Sequence, residues 1–268
     1  MSNILIFIPI YWKYAVMPVE YDVPAIRRTH DILRVLAGRG TPVKAAELAQ
    51  TCQLAKSTLY LLLDCLEQRR WIERKDGGYI VGIELMSLGA AYLRHDGVTA
   101  AFHAAASEFV ARCNEVVQLA VLEGFDVVYL AREDARRPVR LVSEPGMRLP
   151  AHACALGKAL LASLSPDELA ARLPAQLPRV TDRTLATPDA LYRELDQVRQ
   201  TGLGQDCEEI AAGLVCYAAY VGVTPLGKRV AVSTSIPTDR LDDDHRRDVM
   251  AGIREVARHI ARRVIPPV

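Results

Sequence analysis

Residues 46–82 read AELAQTCQLAKSTLYLLLDCLEQRRWIERKDGGYIVG, and this stretch decides the fold of the front of the chain. Within it Leu59, Leu62, Leu63 and Leu66 recur at intervals of three and four, which predicts a helix over AKSTLYLLLDCLEQRR. Just ahead, KAAELAQTCQ sets Ala46, Leu48 and Ala49 on one apolar face, and Cys52-Gln53-Leu54 forms a short turn between the two helices. Behind it, WIERKDGGYIVG predicts two short strands, Trp71–Arg74 and Tyr79–Val81, around a Gly77-Gly78 turn. One element earlier, AIRRTHDILRVLA (residues 25–37) carries a helical stripe of Ile26, Ile32, Leu33, Val35 and Leu36, which Gly38 and Gly40 end. Three helices followed by a hairpin make a winged helix-turn-helix; the competing reading is a three-helix bundle with an incidental hairpin.

Charge is distributed unevenly. The chain of 268 residues carries a formal net charge of +1, yet residues 24–82 hold ten basic and six acidic side chains, +4, while residues 83–268 sum to −2. A basic head on a mildly acidic body suits polyanion binding by the head. The third helix opens on Lys56-Ser57-Thr58, small donors beside a cation at a helix N-terminus, which suits phosphate contact and groove entry. Arg74 and Lys75 sit at the wing, and Arg27 and Lys44 complete the candidate DNA-binding set.

The quoted stretch closely resembles the DNA-binding domain of IclR-type bacterial transcriptional regulators. That family shows a Lys-Ser-Thr triplet early in its recognition helix, matched by Lys56, Ser57 and Thr58. Two departures stand out: no cation follows Tyr60, where Leu61 and Leu62 stand, and the wing's Tyr-Arg-Leu-Gly is Tyr79-Ile80-Val81-Gly82. Both bear on base reading more than on fold. Two roles stay open for Tyr60, a base-contacting group or a core residue.

Residues 83–98 form a connector. GIELMSLGAAYLRH carries Ile83, Leu85, Met86, Leu88, Ala91 and Tyr92 in a helical pattern, more apolar surface than a small head can bury, so a linker and dimer element is expected. A two-fold partner also fits a helix-turn-helix that reads two half-sites.

Residues 99–268 read as an α+β body. TAAFHAAASEFVARC is helical, VVQLAVLEG and FDVVYLAREDA are strands around Glu123-Gly124, and PVRLVSE is a further strand. The loop PGMRLPAHACALGKALLASL leads into a helix from near Cys154 to about Leu164. Ser165-Pro166-Asp167-Glu168 is a capping box with proline at the first helical position, and Thr187-Pro188-Asp189 starts a helix that Thr201-Gly202 ends. CEEIAAGLVCYAAYVGV and KRVAVSTSI are strands around Thr224–Gly227, and a final amphipathic helix runs from about Asp243 to Val264.

GMRLPAHACALGKALLASL and QDCEEIAAGLVCYAAYV again resemble the IclR family, here its GAF-like effector domain, so the likeness covers about residues 24–262. It implies a small organic-acid or aromatic carboxylate effector held by the helix start at Cys154, Ala155 and Leu156. Asp206 and Cys216 match positions that contact effector in some members, and Met147 and Leu214 are candidate wall residues. The physics is independent of the name, because backbone N–H groups at a helix start favour an anion. Each position has a plainer alternative: buried small residue for Cys154 and Cys216, turn cap for Asp206, and core for Met147, Leu149, Leu141 and Leu214. The same holds for His152 as a backbone-bonding residue, Glu208-Glu209 as strand-edge charges, and Arg148 and Lys158 as solvated cations.

Half of the residues are apolar and 24% are charged, which excludes a disordered or collagen-like chain. Six cysteines show no CxxC pair and no zinc spacing, so reduced cytosolic thiols and no metal or cofactor are expected. Ile4–Ile10 is too short to span a bilayer, and residues 1–23 are expected to be a disordered or mis-started extension, with a docked strand or helix as the alternative. P-loop, His-Glu-x-x-His, Gly-x-Ser-x-Gly and dinucleotide-binding motifs are missing from the sequence. The expected function is therefore an effector-modulated transcriptional regulator on a pseudo-palindromic operator, as homodimer or homotetramer, cytoplasmic and not enzymatic. The alternatives are a metabolite-binding protein with a degenerate DNA-binding head, and a cysteine hydrolase using Cys154 or Cys216 with His152 and Asp206.

Overall fold

The structure, a computed structural model, describes residues 22–94, 97–136 and 144–265. It falls into two compact units that divide at residues 95/96.

The first unit contains α1 (Pro24–Ala37), α2 (Ala45–Thr51), α3 (Lys56–Gln68), the hairpin β1 (Ile72–Lys75) and β2 (Gly78–Val81), and α4 (Ile83–Leu93). Its core is a single cluster of Ile32, Leu36, Val43, Leu48, Leu59, Leu63, Leu66, Ile72 and Tyr79. The leucines at three- and four-residue spacing therefore bury one face of α3 and leave the other outside. Ile26, assigned to the α1 stripe on periodicity, is 69% exposed, because the first turn of α1 projects past the core. The hairpin is shifted by one residue from expectation: its turn is Asp76-Gly77, not Gly77-Gly78. Both turn residues have positive φ (49° and 74°), as a tight two-residue hairpin requires, and Gly78 pairs with Lys75 in the ladder. Of residues 1–23, expected to be an extension, residues 1–21 lie outside the described residues.

The second unit is built on a six-stranded antiparallel sheet. Its strands are β3 (Val116–Glu123), β4 (Asp126–Glu133), β5 (Arg148–Pro150), β6 (Gly204–Cys207), β7 (Leu214–Val223) and β8 (Arg229–Pro237), in the order β5-β4-β3-β8-β7-β6. Helices α5 (Val98–Cys113) and α9 (Asp243–Val264) pack on each other and on the sheet. Helix α6 (Ala155–Ala162) packs on β6, β7, β8 and β3, and belongs to a cluster with Ala120, Tyr129, Cys216, Ala218 and Ala231. Side chains alternate across a strand, so these residues mark one face of the sheet. No α5 or α9 residue joins that cluster, which places those helices on the other face. Helices α7 (Pro166–Arg172) and α8 (Pro188–Thr201) start as read: Ser165 and Glu168 form the reciprocal capping box, and the Thr187 hydroxyl accepts from the Ala190 N–H.

Two segments differ from expectation. Arg148–Pro150, read as loop, is a short edge strand paired with Asp126–Val128, a position that tolerates Pro150. CEEIAAGLVCYAAYVGV is a turn followed by a strand. The Asp206 carboxylate accepts from the Glu209 and Ile210 N–H groups at 2.7 and 3.3 Å and so draws the backbone out of the ladder until Leu214. The strand assigned to PVRLVSE lies outside the described residues up to Val142 and Ser143, and Glu144 is not in a strand.

Candidate functional sites

In the first unit the exposed face of α3 carries the candidate recognition residues. Lys56 and Ser57 are exposed and Thr58 half-buried, at the first turn of a helix whose N-cap, Ala55, offers no side-chain cap. One turn on, Tyr60 is 51% and Leu61 69% exposed, so Tyr60 is not core. At the wing, Arg74 extends over the Tyr79 ring at 5.4 Å and bonds Glu67 at 3.0 Å, while Lys75 is exposed. The Glu67 bond, the first cause, holds the Arg74 pKa above its ordinary value. Lys44 is the exposed N-cap of α2, and Arg27 pairs with Asp22 at 2.8 Å. The structure thus leaves Lys56, Ser57 and Tyr60 exposed in the first turns of α3 with Thr58 half-buried at the edge of that face, and pairs Arg27 with Asp22 and Arg74 with Glu67.

In the second unit the expected effector residues come together. Cys154, Ala155, Leu156, Leu214 and Cys216 belong to one buried cluster under α6, with Met147 half-buried against it. Asp206 faces Cys216 directly in the β6–β7 register. Leu149 joins the same cluster, and Leu141 lies outside the described residues.

The first turn of α6 approaches its neighbours too closely for side chains. A Cβ at Gly157 would collide with the Ala151 carbonyl, and one at Gly204 with the Ala155 carbonyl. These glycines seat the helix start against both the preceding turn and β6.

Beneath α6 the sheet presents polar atoms in an otherwise apolar layer. Asp206 is fully buried, its Oδ1 taken by two backbone N–H groups and its Oδ2 without a hydrogen-bond partner. Burial, the largest cause, pushes its carboxyl up to about 7, against the pull of those N–H groups. The Cys216 thiol donates to the Ser235 hydroxyl at 3.2 Å. The Ser233 hydroxyl donates to the Gln118 carbonyl oxygen at 3.0 Å. Strand pairing sets Ser235 opposite Cys216, Ser233 opposite Ala218, and Gln118 opposite Ser233, so all lie on the α6 face. Tyr129 lies in the same cluster, and burial together with the neighbouring thiols and Asp206 drives its pKa well up. Gln118, Tyr129, Ser233 and Ser235 were not singled out on sequence; the available signal was the polar run Ser233-Thr234-Ser235 between the apolar stretch Val230–Val232 and Ile236.

Other polar candidates are occupied structurally. His152 is fully buried, bonds the Pro178 carbonyl at 2.9 Å and stacks on Phe125, and burial lowers its pKa. Arg148 lies beside Asp126 at 3.5 Å. Glu208 pairs with Arg183 and accepts from the Gly213 N–H, which makes it a turn residue. Lys158 is not a solvated cation but fully buried, bonded to Glu194 and Glu209. The two carboxylates outweigh burial and hold its ammonium above its ordinary pKa. Burial raises the Cys154 thiol to about 12 and the Cys216 thiol well above its ordinary value, which works against the thiolate that a cysteine hydrolase needs.

Residues 25–76 match the family described as the IclR helix-turn-helix domain, and residues 90–262 the family described as Bacterial transcriptional regulator IclR C-terminal. The chain belongs to the IclR family of bacterial transcriptional regulators. It is 30% identical over 247 residues to the regulator KdgR of Escherichia coli, covering 90% of this chain and 92% of that protein. To the Escherichia coli transcriptional repressor IclR it is 28% identical over 251 residues, 92% of each chain. Among solved structures, a transcriptional regulator from a Rhodococcus species superposes with TM-score 0.74 at 26% identity, covering 90% and 98% of the two chains. An IclR homologue from Microbacterium hydrocarbonoxydans, solved in complex with 4-hydroxybenzoate, gives TM-score 0.73 at 26% identity, covering 89% and 98%. This IclR-family chain is thus a DNA-binding regulator with an N-terminal winged helix-turn-helix and a C-terminal effector-binding domain. None of its described helices is long and apolar enough to cross a membrane.

Proposed function

We propose that this regulator binds a pseudo-palindromic operator as a cytoplasmic homodimer, able to pair into a tetramer, and that a small organic-acid or aromatic carboxylate effector shifts its DNA affinity. Lys56, Ser57 and Thr58 contact phosphates. Tyr60 and Leu61 offer apolar surface to base edges, as thymine methyls accept. Arg27, Lys44, Arg74 and Lys75 contact the backbone. Domain limits of 24–82 for the head, 83–98 for the connector and 99–268 for the effector body belong to this reading.

The effector lies between the start of α6 at Cys154, Ala155 and Leu156 and the strands bearing Asp206 and Cys216, with Met147 and Leu214 as walls. One observation carries this: the buried Asp206 Oδ2 has no hydrogen-bond partner, and Asp206 stands opposite Cys216 in the β6–β7 register on the face that α6 covers. Buried polar groups are bonded as a rule, so an unpaired one in an apolar layer marks a place where a ligand supplies the bond. The 4-hydroxybenzoate bound by the Microbacterium homologue is a carboxylate of the expected class. Regulation then requires different effector affinities in the DNA-bound and free forms.

A mobility-shift titration on the DNA upstream of its own gene, at two salt concentrations, tests the reading. Specific and strongly salt-dependent binding supports it. Binding without sequence preference would favour the second reading, a metabolite-binding protein with a degenerate head, to which the internal pairing of Arg74 with Glu67 lends weight. Cys216→Ser is expected to change the effector response and to leave binding of effector-free protein to DNA intact. Hydrolysis of an ester or amide lost in Cys154→Ala would instead show an enzyme.

A further inference from the structure

Lys158 sits in the second turn of α6 with none of its surface exposed. An ammonium has three N–H donors. All three have an acceptor: Glu209 Oε1 at 2.6 Å, the Gln205 carbonyl at 2.8 Å and Glu194 Oε1 at 3.0 Å. With its donors used inside the protein, Lys158 has none left for an anionic ligand.

Its partners are placed unevenly along the chain. Gln205 and Glu209 flank Asp206, one before it and one three residues after. The turn between them is closed from within by Asp206 Oδ1, which accepts from the Glu209 and Ile210 N–H groups. The same turn is therefore gripped twice, from inside by the Asp206 carboxylate and from outside by the Lys158 ammonium. Glu194, from α8, is the third point of attachment. Lys158 belongs to the helix whose first turn, seated by Gly157 and Gly204, forms the opposite wall of the candidate effector site.

We infer that Lys158 is a positioning residue of the effector site: it ties the Gln205–Glu209 turn to α6, so that the unpaired oxygen of Asp206 keeps a fixed place relative to the helix start. This rests on the effector reading of that site. Lys158 never touches effector. It sets the distance between the two groups that do, and Glu194 holds the lysine upright from behind. A purely architectural ion pair would tie arbitrary parts of the body together; here both turn contacts bracket Asp206, whose buried Oδ2 has no hydrogen-bond partner.

The test uses the full chain with Lys158→Met and, in case the methionine variant does not fold, Glu209→Gln, which preserves shape and weakens the grip. Amide hydrogen exchange reads the grip without any ligand. Protection at Glu209 and Ile210 is expected to fall by at least about tenfold while the central strands β3, β7 and β8 keep theirs. The Asp206 carboxyl carbon resonance, assigned with Asp206→Asn, is expected to titrate at a different midpoint in both variants. Binding of 4-hydroxybenzoate and benzoate, used as probes, is expected to weaken by about tenfold or more, with little change in binding to DNA of the effector-free protein. Unchanged exchange at Glu209 and Ile210, or a loss of protection spread evenly over the body, would overturn the inference whether or not a probe binds. If no carboxylate binds wild-type protein while the exchange and titration respond as expected, the effector reading fails and the role in effector binding fails with it.

Discussion

Asp206 and Cys216 stand directly opposite each other on β6 and β7, both buried, with the carboxylate half-paired and the thiol donating to Ser235. A carboxyl group in such a place is held nearer to its neutral form by the loss of water. That has a measurable consequence for stability.

The Asp206 carboxyl is pushed from its ordinary value of 3.8 up to about 7. Between those values the folded protein retains a proton that the unfolded chain has released. Stability from this group is therefore fully present below the lower value and is lost as pH rises through the upper one. Asp206→Asn keeps an oxygen to accept the Glu209 and Ile210 N–H groups and removes the titration. Urea unfolding at about pH 5 and about pH 8 is expected to show the variant gaining relative to wild type as pH rises. The gain reaches up to a few kcal/mol, since about 1.4 kcal/mol accompanies each pKa unit. His152 is present in both proteins, so its own titration cancels in the comparison. A difference that does not vary with pH would show that Asp206 is already charged in the folded state.

The seating of α6 predicts an inverted glycine effect. In an ordinary helix interior, Gly→Ala gains about 1 kcal/mol. At Gly157 the new methyl meets the Ala151 carbonyl, and backbone cannot swing aside as a flexible side chain can. Gly157→Ala is expected to destabilise by about 1–3 kcal/mol and to weaken effector binding as the helix start shifts. Thermal unfolding and a probe titration measure the two effects; a stabilised variant would mean the helix start is not seated as described.

The exposed face of α3 separates two kinds of DNA contact. Lys56→Ala is expected to weaken binding about equally for all sequences and to lower the slope of log affinity against log salt by about 1. Tyr60→Ala is expected to leave that slope unchanged and to alter base preference, by about 1–3 kcal/mol at the contacted position. Mobility shifts on an operator and on a scrambled duplex distinguish them. Equal losses on both duplexes for Tyr60→Ala would remove it from base reading.

Helix α4 has no buried residue, and Ile83, Met86, Leu88 and Tyr92 are 42–70% exposed. Apolar surface of that extent on one short helix favours a second copy of the chain. Replacing Met86 and Leu88 together by Glu is expected to shift sedimentation toward the monomer and to weaken operator binding by at least about tenfold, since one head then holds one half-site. A wild-type protein that sediments as a monomer at all concentrations would remove α4 as a dimer element.

Much of the architecture was legible from neighbours along the chain. The leucine spacing of α3 predicted which face is buried, and Ser165 with Glu168 predicted where α7 starts, because caps and helical faces depend on residues within one or two turns. The hairpin was legible to within one residue; its turn moved to Asp76-Gly77 because an Asp at positive φ is cheap enough to share the turn with one glycine. The β6–β7 connection was misread as strand because CEEIAAGLV is apolar enough for one; the turn-cap alternative held for Asp206 is the reading that its bonds to the Glu209 and Ile210 N–H groups bear out.

The sequence by itself determined the family, the winged helix-turn-helix and the starts of α7 and α8 in the body. These follow from short-range periodicity, caps and motifs, which operate over a few residues. Only the tertiary structure decided that Lys158 is buried, since its partners lie 36, 47 and 51 residues further along. It also decided that Gln118, Ser233 and Ser235 share the floor beneath α6 with Cys216. The physical reason is register: a strand slipped by one residue turns every side chain to the opposite face. Which polar atoms meet inside the body is thus set by long-range pairing, whose outcome no local pattern encodes.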